Sequence, residues 1–273
     1  MGTTPGSLLE PIDDVQSGDS SKQHPFRSAI MVMVVGYAVL TLLMLGIGLL
    51  LTHALDGSVG GWDRHVSEYF ARHRTSRWND ITKVATSAVN TLPVVAVAAV
   101  VVGLLALRRR WREAAFLTIA LTLEITVFLS VTFVVDRPRP AVYRLNSTPA
   151  TSSFPSGHTA ASIVLFVGIA LIVASLTRNT AARAVSAFVA ASAATLVGFA
   201  RVYRGLHYPS DVFVGALFGF ACLALAAVAV RVASVRAARA AGADHANRID
   251  RVDRVDRVDE AAVDAAPALR KNA

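Results

Sequence analysis

Uncharged apolar runs of membrane-crossing length recur through the middle of the chain, with polar sequence on both sides. A helix needs about 20 apolar residues to cross the hydrocarbon layer of a bilayer. Residues 29–51, 85–107, 114–135, 159–177, 184–200 and 212–232 predict six such helices. Only Glu124 interrupts the third run, and the fifth is short and rich in Ala and Ser. The first run is too long for the apolar part of a signal peptide and its flank lacks a clean cleavage site, so it reads as a retained span. The pattern therefore predicts an all-α fold: a six-transmembrane-helix bundle over 29–232. A disordered segment, 1–28, precedes it and a polar tail, 233–273, follows.

Six passes place both termini on one side. Eleven Arg and Lys residues lie in or beside the loops on that side and ten on the other. The dense Arg108–Arg109–Arg110–Arg112 cluster marks the cytoplasm, because several basic residues of the other set fall in chemical motifs or in one long loop. Both termini are expected inside. That long loop, about 53–84, sets Trp62, Val66, Tyr69, Phe70, Trp78 and Ile81 among charges. It predicts one or two amphipathic helices at headgroup depth, forming a lid over the bundle end. In the tail, Arg-Ile-Asp and three Arg-Val-Asp units repeat over 248–259. Opposite charges four apart support a helix, but a period of three drifts around one, so a solvated tail is expected.

Composition narrows the class. Of 273 residues, 54% are hydrophobic and 17% charged, and the mean hydropathy is +0.51. A soluble domain carries about 25% charge, so an ordinary globular protein is excluded. The single cysteine, Cys222, excludes a disulfide scaffold. The net charge of +8 is almost wholly Arg and points to topology and anionic lipid; nucleic acid is not an expected partner.

Three polar clusters interrupt the apolar pattern, and the six-pass topology puts all three at one membrane face. They are Asp136-Arg137-Pro138-Arg139-Pro140 after the third run, Phe154-Pro155-Ser156-Gly157-His158 before the fourth, and Arg201 to Asp211 after the fifth. Arg139 and Arg201 can each grip two oxygens of a phosphate. Ser156 and Gly157 open the fourth helix, whose free N–H groups and dipole favour an anion, and Gly157 permits close approach. His158 can donate a proton to a leaving oxygen. His207 and Asp211 are four apart, a spacing at which a carboxylate holds an imidazole in one tautomer. A neutral, oriented imidazole is a competent nucleophile. Together these groups describe phosphoryl transfer through a phosphohistidine, with arginines where other phosphatases use a metal; no cofactor is expected. Read singly the same motifs are bland: Arg-Pro ends helices, Ser156 is an N-cap, and an interfacial histidine is structural.

The sequence resembles the type 2 phosphatidic acid phosphatase superfamily, whose pattern is Lys-x6-Arg-Pro, then Pro-Ser-Gly-His, then Ser-Arg-x5-His-x3-Asp. Pro155-Ser156-Gly157-His158 matches the second part fully; Arg201, His207 and Asp211 match the third, and Arg139-Pro140 the end of the first. The resemblance covers about 114–232. It implies that Arg139 and Arg201 bind phosphate with support from Ser156 and Gly157, that His158 is the general acid, His207 the nucleophile and Asp211 its orienter. Two positions depart: the Lys falls at Thr132 and the Ser before the Arg at Ala200. Arg137 and Arg204 are the nearest replacements for the lost cation.

The function expected from these residues is metal-independent hydrolysis of a lipid phosphate or diphosphate at the extracytoplasmic face of the cell membrane. Undecaprenyl diphosphate, phosphatidate and phosphatidylglycerophosphate are the substrate classes considered. The rival readings are a non-catalytic lipid-binding member of the same fold, favoured by Thr132 and Ala200, and a small-solute transporter, which the intact His158, His207 and Asp211 oppose. Glu124 lies about 15–22 Å from the arginines at 1.5 Å per residue, so an interhelical hydrogen bond is expected there rather than catalysis.

Overall fold

The computed structural model describes residues 27–147 and 151–270, so the expected disordered segment, 1–28, falls almost wholly outside the described residues. Every regular element among the described residues is helical. In chain order these are α1 (Arg27–Leu49), ending in a π-helical turn (Leu50–Ala54); α2 (Val59–Arg72); α3 (Ser76–Ser87); α4 (Thr91–Leu107); and α5 (Trp111–Val134). Then α6 (Gly157–Ser162) continues through a π-helical turn (Ile163–Val167) into α7 (Gly168–Leu176), followed by α8 (Thr180–Tyr203) and α9 (Pro209–Arg270).

Five of these helical stretches are long and apolar enough to cross a bilayer, and α3 with α4, bent by 53°, makes a sixth if the pair is one pass. The chain is a multi-pass membrane protein. Two expectations need correction. The second apolar run, 85–107, is not one helix: α3 takes its first residues, 88–90 break the path, and α4 starts at Thr91. Asn90 is the N-cap, and Pro93 sits in the first turn, where its missing N–H costs nothing. The tail is not separate from the last span, because α9 runs without interruption through the Arg-Val-Asp repeats to Arg270.

The core follows from helical spacing. Leu117, Ala120, Leu123, Glu124, Val127 and Val131 recur every one to four residues and line the buried stripe of α5. Val214, Phe218, Cys222 and Ala226 recur every four and line α9, which packs against it. Close approach of α9 to α6 depends on glycine. A Cβ on Gly215 would lie 2.7 Å from the Ser156 carbonyl oxygen, and one on Gly219 2.9 Å from that of Ala160. Small residues at such crossings let backbones touch where lipid gives no hydrophobic drive to association. Glu124 is buried beside the Leu123–Val127 cluster and has no hydrogen-bond partner among the described residues, so the expected interhelical bond is not formed. Its buried neighbours there are apolar.

The outside of the bundle is apolar too. Met31, Val34, Leu42, Leu92 and Phe133 are exposed, Leu92 and Phe133 by 79% and 87%. Such a belt is stable only against hydrocarbon. At one end the loop after α1 forms the α2–α3 hairpin, which covers α8 as the amphipathic pattern predicted. The Phe199 ring meets Phe70 and Trp78 edge-on at 5.6 and 5.3 Å. Arg74 Nε donates to the Tyr203 carbonyl at 3.1 Å, and the Thr75 N–H to Tyr203 Oη at 2.8 Å. Trp62 and Tyr69 face outward. The end of α5, the starts of α6 and α9 and the end of α8 meet under this hairpin, at the pole opposite Arg108–Arg112.

Gly215→Val therefore forces α6 and α9 apart. The expected cost of overpacking is about 1–3 kcal/mol, read as a lowered Tm in detergent. Gly46→Val on α1, where nothing lies within 4 Å of an added Cβ, is expected to leave Tm unchanged.

Candidate active site

His207 reaches its place through a turn that the sequence specifies. Gly205 has φ +73°, a left-handed conformation that a side chain would strain. The chain then doubles back under α8, and the Leu206 and His207 N–H groups donate to the Arg201 carbonyl at 3.0 and 3.3 Å. Pro209 occupies the first position of α9, and Asp211 Oδ2, two residues on, accepts the Tyr208 N–H at 2.9 Å. That bond satisfies an otherwise orphaned donor at the helix start.

The His207 ring is buried. Its Nδ1 lies 2.6 Å from the Ser153 carbonyl oxygen, which can only accept, so Nδ1 carries the proton and donates. Nε2 is left as a lone pair. Arg201 Nη2 and Arg139 Nη1 approach it at 3.3 and 3.5 Å. Burial, followed by the charges of Arg201 and Arg139, pushes the imidazole well below its ordinary value of 6.5, against the Ser153 bond. His207 is thus a neutral base with its lone pair between two cations.

Neither cation has a carboxylate within 4 Å among the described residues. Arg139 is held by backbone: Nη1 donates to the Leu206 carbonyl at 2.6 Å, Nη2 to that of Ser152 at 3.2 Å, and Nε to that of Thr151 at 3.2 Å. Carbonyls fix the guanidinium without cancelling its charge. Arg201 Nε is buried with no partner. Two guanidinium groups thus share one neutral ring with no carboxylate within 4 Å of either among the described residues, and a guanidinium can grip two oxygens of a phosphate.

Arg137, the expected third phosphate ligand, is elsewhere. It is 4% exposed, and its Nη2 donates to Asp63 Oδ2 at 2.8 Å while Nη1 donates to Ser210 Oγ at 2.8 Å and to Asp211 Oδ1. Its guanidinium stacks over the Tyr208 ring, 4.7 Å from the centroid. Burial disfavours its charge, but Asp211 and Asp63 more than offset this and hold it above its ordinary value. Two carboxylates have taken it out of the anion site. Arg204 does not replace the missing cation either: its donors go to Asn146 Oδ1, Thr82 Oγ1 and the carbonyls of Asn79 and Leu145. Thr132 Oγ1 is buried without a partner.

Asp211 is corrected in the same way. It lies 3.9 Å from His207 Nδ1, while Ser153 supplies the direct bond. Asp211 acts one step back: its Oδ2 accepts from Ser153 Oγ at 2.9 Å as well as from the Tyr208 N–H. Ser156 is fully buried, shares a 2.9 Å hydroxyl bond with Thr159 and donates its N–H to the Asp211 carbonyl at 3.1 Å. A Cβ on Gly157 would lie 2.8 Å from the Phe128 ring, so packing against α5 requires glycine there. His158, on the first turn of α6, places Nε2 3.2 Å from Asn90 Oδ1. The sequence pattern did not point to Asp63, Ser153 or Asn90. Among the described residues, no three His, Cys, Asp or Glu side chains come together in a way that could hold a metal.

Fold and site together define a membrane-embedded helical bundle with an arginine–histidine anion centre at one pole. Residues 114–234 match the model of the PAP2 superfamily. A comparison with curated proteins found no significant match. Among solved structures, the chain is similar to a transmembrane PAP2-type phosphatidylglycerolphosphate phosphatase from Bacillus subtilis, with TM-score 0.53 and 22% identity over 75% of this chain and 92% of that one. LpxE of Aquifex aeolicus aligns with TM-score 0.48 and 24% identity over 59% of this chain and 92% of its own.

Two outcomes follow from the geometry. Arg137→Ala leaves Asp63 and Asp211 buried and unpaired, which costs about 3–5 kcal/mol, so thermal unfolding reports the loss before any change in KM. His207 binds its proton less readily folded than unfolded. Below pH 6.5 the unfolded chain takes up a proton that the folded chain refuses, so this residue lowers stability as pH falls, by up to about 1.4 kcal/mol per pH unit. His207→Gln is expected to flatten that part of the Tm-against-pH curve.

Proposed function

We propose that the protein hydrolyses a lipid phosphate or diphosphate through a phosphohistidine on His207. The observation that carries this reading is the Nε2 lone pair lying 3.3 and 3.5 Å from Arg201 and Arg139, neither paired with a carboxylate among the described residues. A phosphoryl group seated between the guanidiniums meets the lone pair head-on. Nε2 attacks phosphorus, the P–O bond to the lipid breaks, and His158 gives the departing oxygen its proton. His158 then takes a proton from water, whose oxygen attacks phosphorus and releases inorganic phosphate, restoring both histidines. The arginines stabilise the charge that gathers on the equatorial oxygens, the larger part of the work in phosphoryl transfer.

The bilayer around the bundle and the PAP2 match favour a lipid substrate. Phosphatidylglycerophosphate, phosphatidate and undecaprenyl diphosphate form the test panel. The site lies at the pole opposite Arg108–Arg112, which the positive-inside rule assigns to the cytoplasm, so catalysis is proposed on the outer side, with both termini inside.

Purified protein should release inorganic phosphate from at least one lipid of the panel, with activity that survives EDTA and is inhibited by vanadate. Lipid binding without any release would favour the non-catalytic reading. His207→Ala should abolish turnover on every substrate. His158→Ala should lose about 10²–10⁴-fold on lipids and recover in part on p-nitrophenyl phosphate, whose leaving group needs no proton. Phosphate trapped on His158 would reverse the two roles.

A further inference from the structure

We propose that Asp63, on the outer helix α2, is a positioning residue for His207, acting through Arg137 and Asp211. This rests on the reading of His207 as the nucleophile. Asp63 is fully buried although α2 is an amphipathic helix of a surface hairpin, and every bond it makes points inward. Its Oδ1 accepts the Ser210 N–H at 3.0 Å; its Oδ2 accepts from Arg137 Nη2 at 2.8 Å and from Ser210 Oγ. It grips the first turn of α9 and one face of the Arg137 guanidinium together.

From there a bonded path leads to the imidazole. The other end of Arg137 donates to Asp211 Oδ1. Asp211 Oδ2 accepts from Ser153 Oγ and from the Tyr208 N–H, both at 2.9 Å. Ser153 is the residue whose carbonyl receives the His207 Nδ1 proton, and Tyr208 is next to His207 in the chain. The path thus fixes the ring from its partner and from its own backbone. None of its atoms touches Nε2 or the two free guanidiniums. Asp63 also leaves the Arg137 cluster with two carboxylates for one cation, a net negative charge behind the ring that faces Arg139 and Arg201. Without Asp63, Arg137 keeps one carboxylate and loses the second anchor that sets its angle.

The test uses two oxyanions that ask different things of the site. Inorganic phosphate needs the arginines alone. Vanadate additionally takes a bond from the nucleophilic nitrogen. Calorimetric binding of each to the full chain in detergent is compared for wild type and Asp63→Asn. The expected result is vanadate binding weakened about 10–100-fold, the range typical of lost outer partners, with phosphate binding unchanged. In an Arg137→Gln background, Asp63→Asn is expected to add no further loss, because the path is already cut. Unchanged vanadate binding in Asp63→Asn, an equal loss of both anions, or a loss fully additive with Arg137→Gln would each overturn the proposal. A wild type that binds neither anion would overturn the phosphohistidine reading itself, and this inference with it. If Asp63→Asn does not fold, Ser210→Ala removes the hydroxyl that bridges Asp63 and Arg137, and the same vanadate-selective loss is expected.

Discussion

Two guanidinium groups held against one buried, neutral imidazole repel each other, and much of the surrounding architecture exists to keep them there. A carboxylate beside either would relieve the repulsion and cancel the positive charge around the ring. The structure instead satisfies Arg139 with carbonyl oxygens of the 151–152 segment and the 205–207 turn, which hold geometry while leaving charge. The acidic residues nearby are spent on Arg137. Segregating three arginines into one neutralised and two bare cations gives the site its character.

That segregation depends on the outer hairpin. The α2–α3 unit brings Asp63 to Arg137 and Ser210, and the break after α3 brings Asn90 to His158. The surroundings of His207 and of His158 are thus both tied to the 59–90 segment. It resembles a lid in position, but its bonds are those of a clamp. The aromatic contacts with Phe199 and the Arg74 and Thr75 bonds to Tyr203 fix it to α8, the helix that bears Arg201.

Much of this was legible in the residues because it depends on local rules. Apolar run length located the spans, and Pro155-Ser156-Gly157-His158 and Arg201 to Asp211 located the helix starts and the turn that meet at one pole. What escaped has specific causes. Arg137 and Arg139 are the same residue two apart in a Pro-flanked segment; only two aspartates, each 74 residues away, separate their surroundings. Ser153 meets His207 through its backbone carbonyl, which every residue has, and its hydroxyl meets Asp211 58 residues away, so no local pattern marked it. The clue to Asp63 was present but faint: Gly60, Asp63 and Ser67 form the buried stripe of an otherwise charged helix. Asn90 followed by Pro93 is a helix-start signal that the surrounding apolar residues masked. The repeat in the tail drifts around a helix, yet its opposite charges four apart allow α9 to continue through it.

The break at Asn90 also has a consequence for the lipid. The helical part of that pass, α4, has 17 residues, or about 25 Å at 1.5 Å each. The hydrocarbon layer is about 30 Å thick. At one end Arg108–Arg110 can extend their side chains to bridge a deficit. At the other end Leu92, 79% exposed, has no such arm. A short helix is then met by the membrane thinning around it. A 17-residue helix thus stops short of a full crossing, and the Asn90–His158 contact at its end occupies depth that a longer helix would have filled.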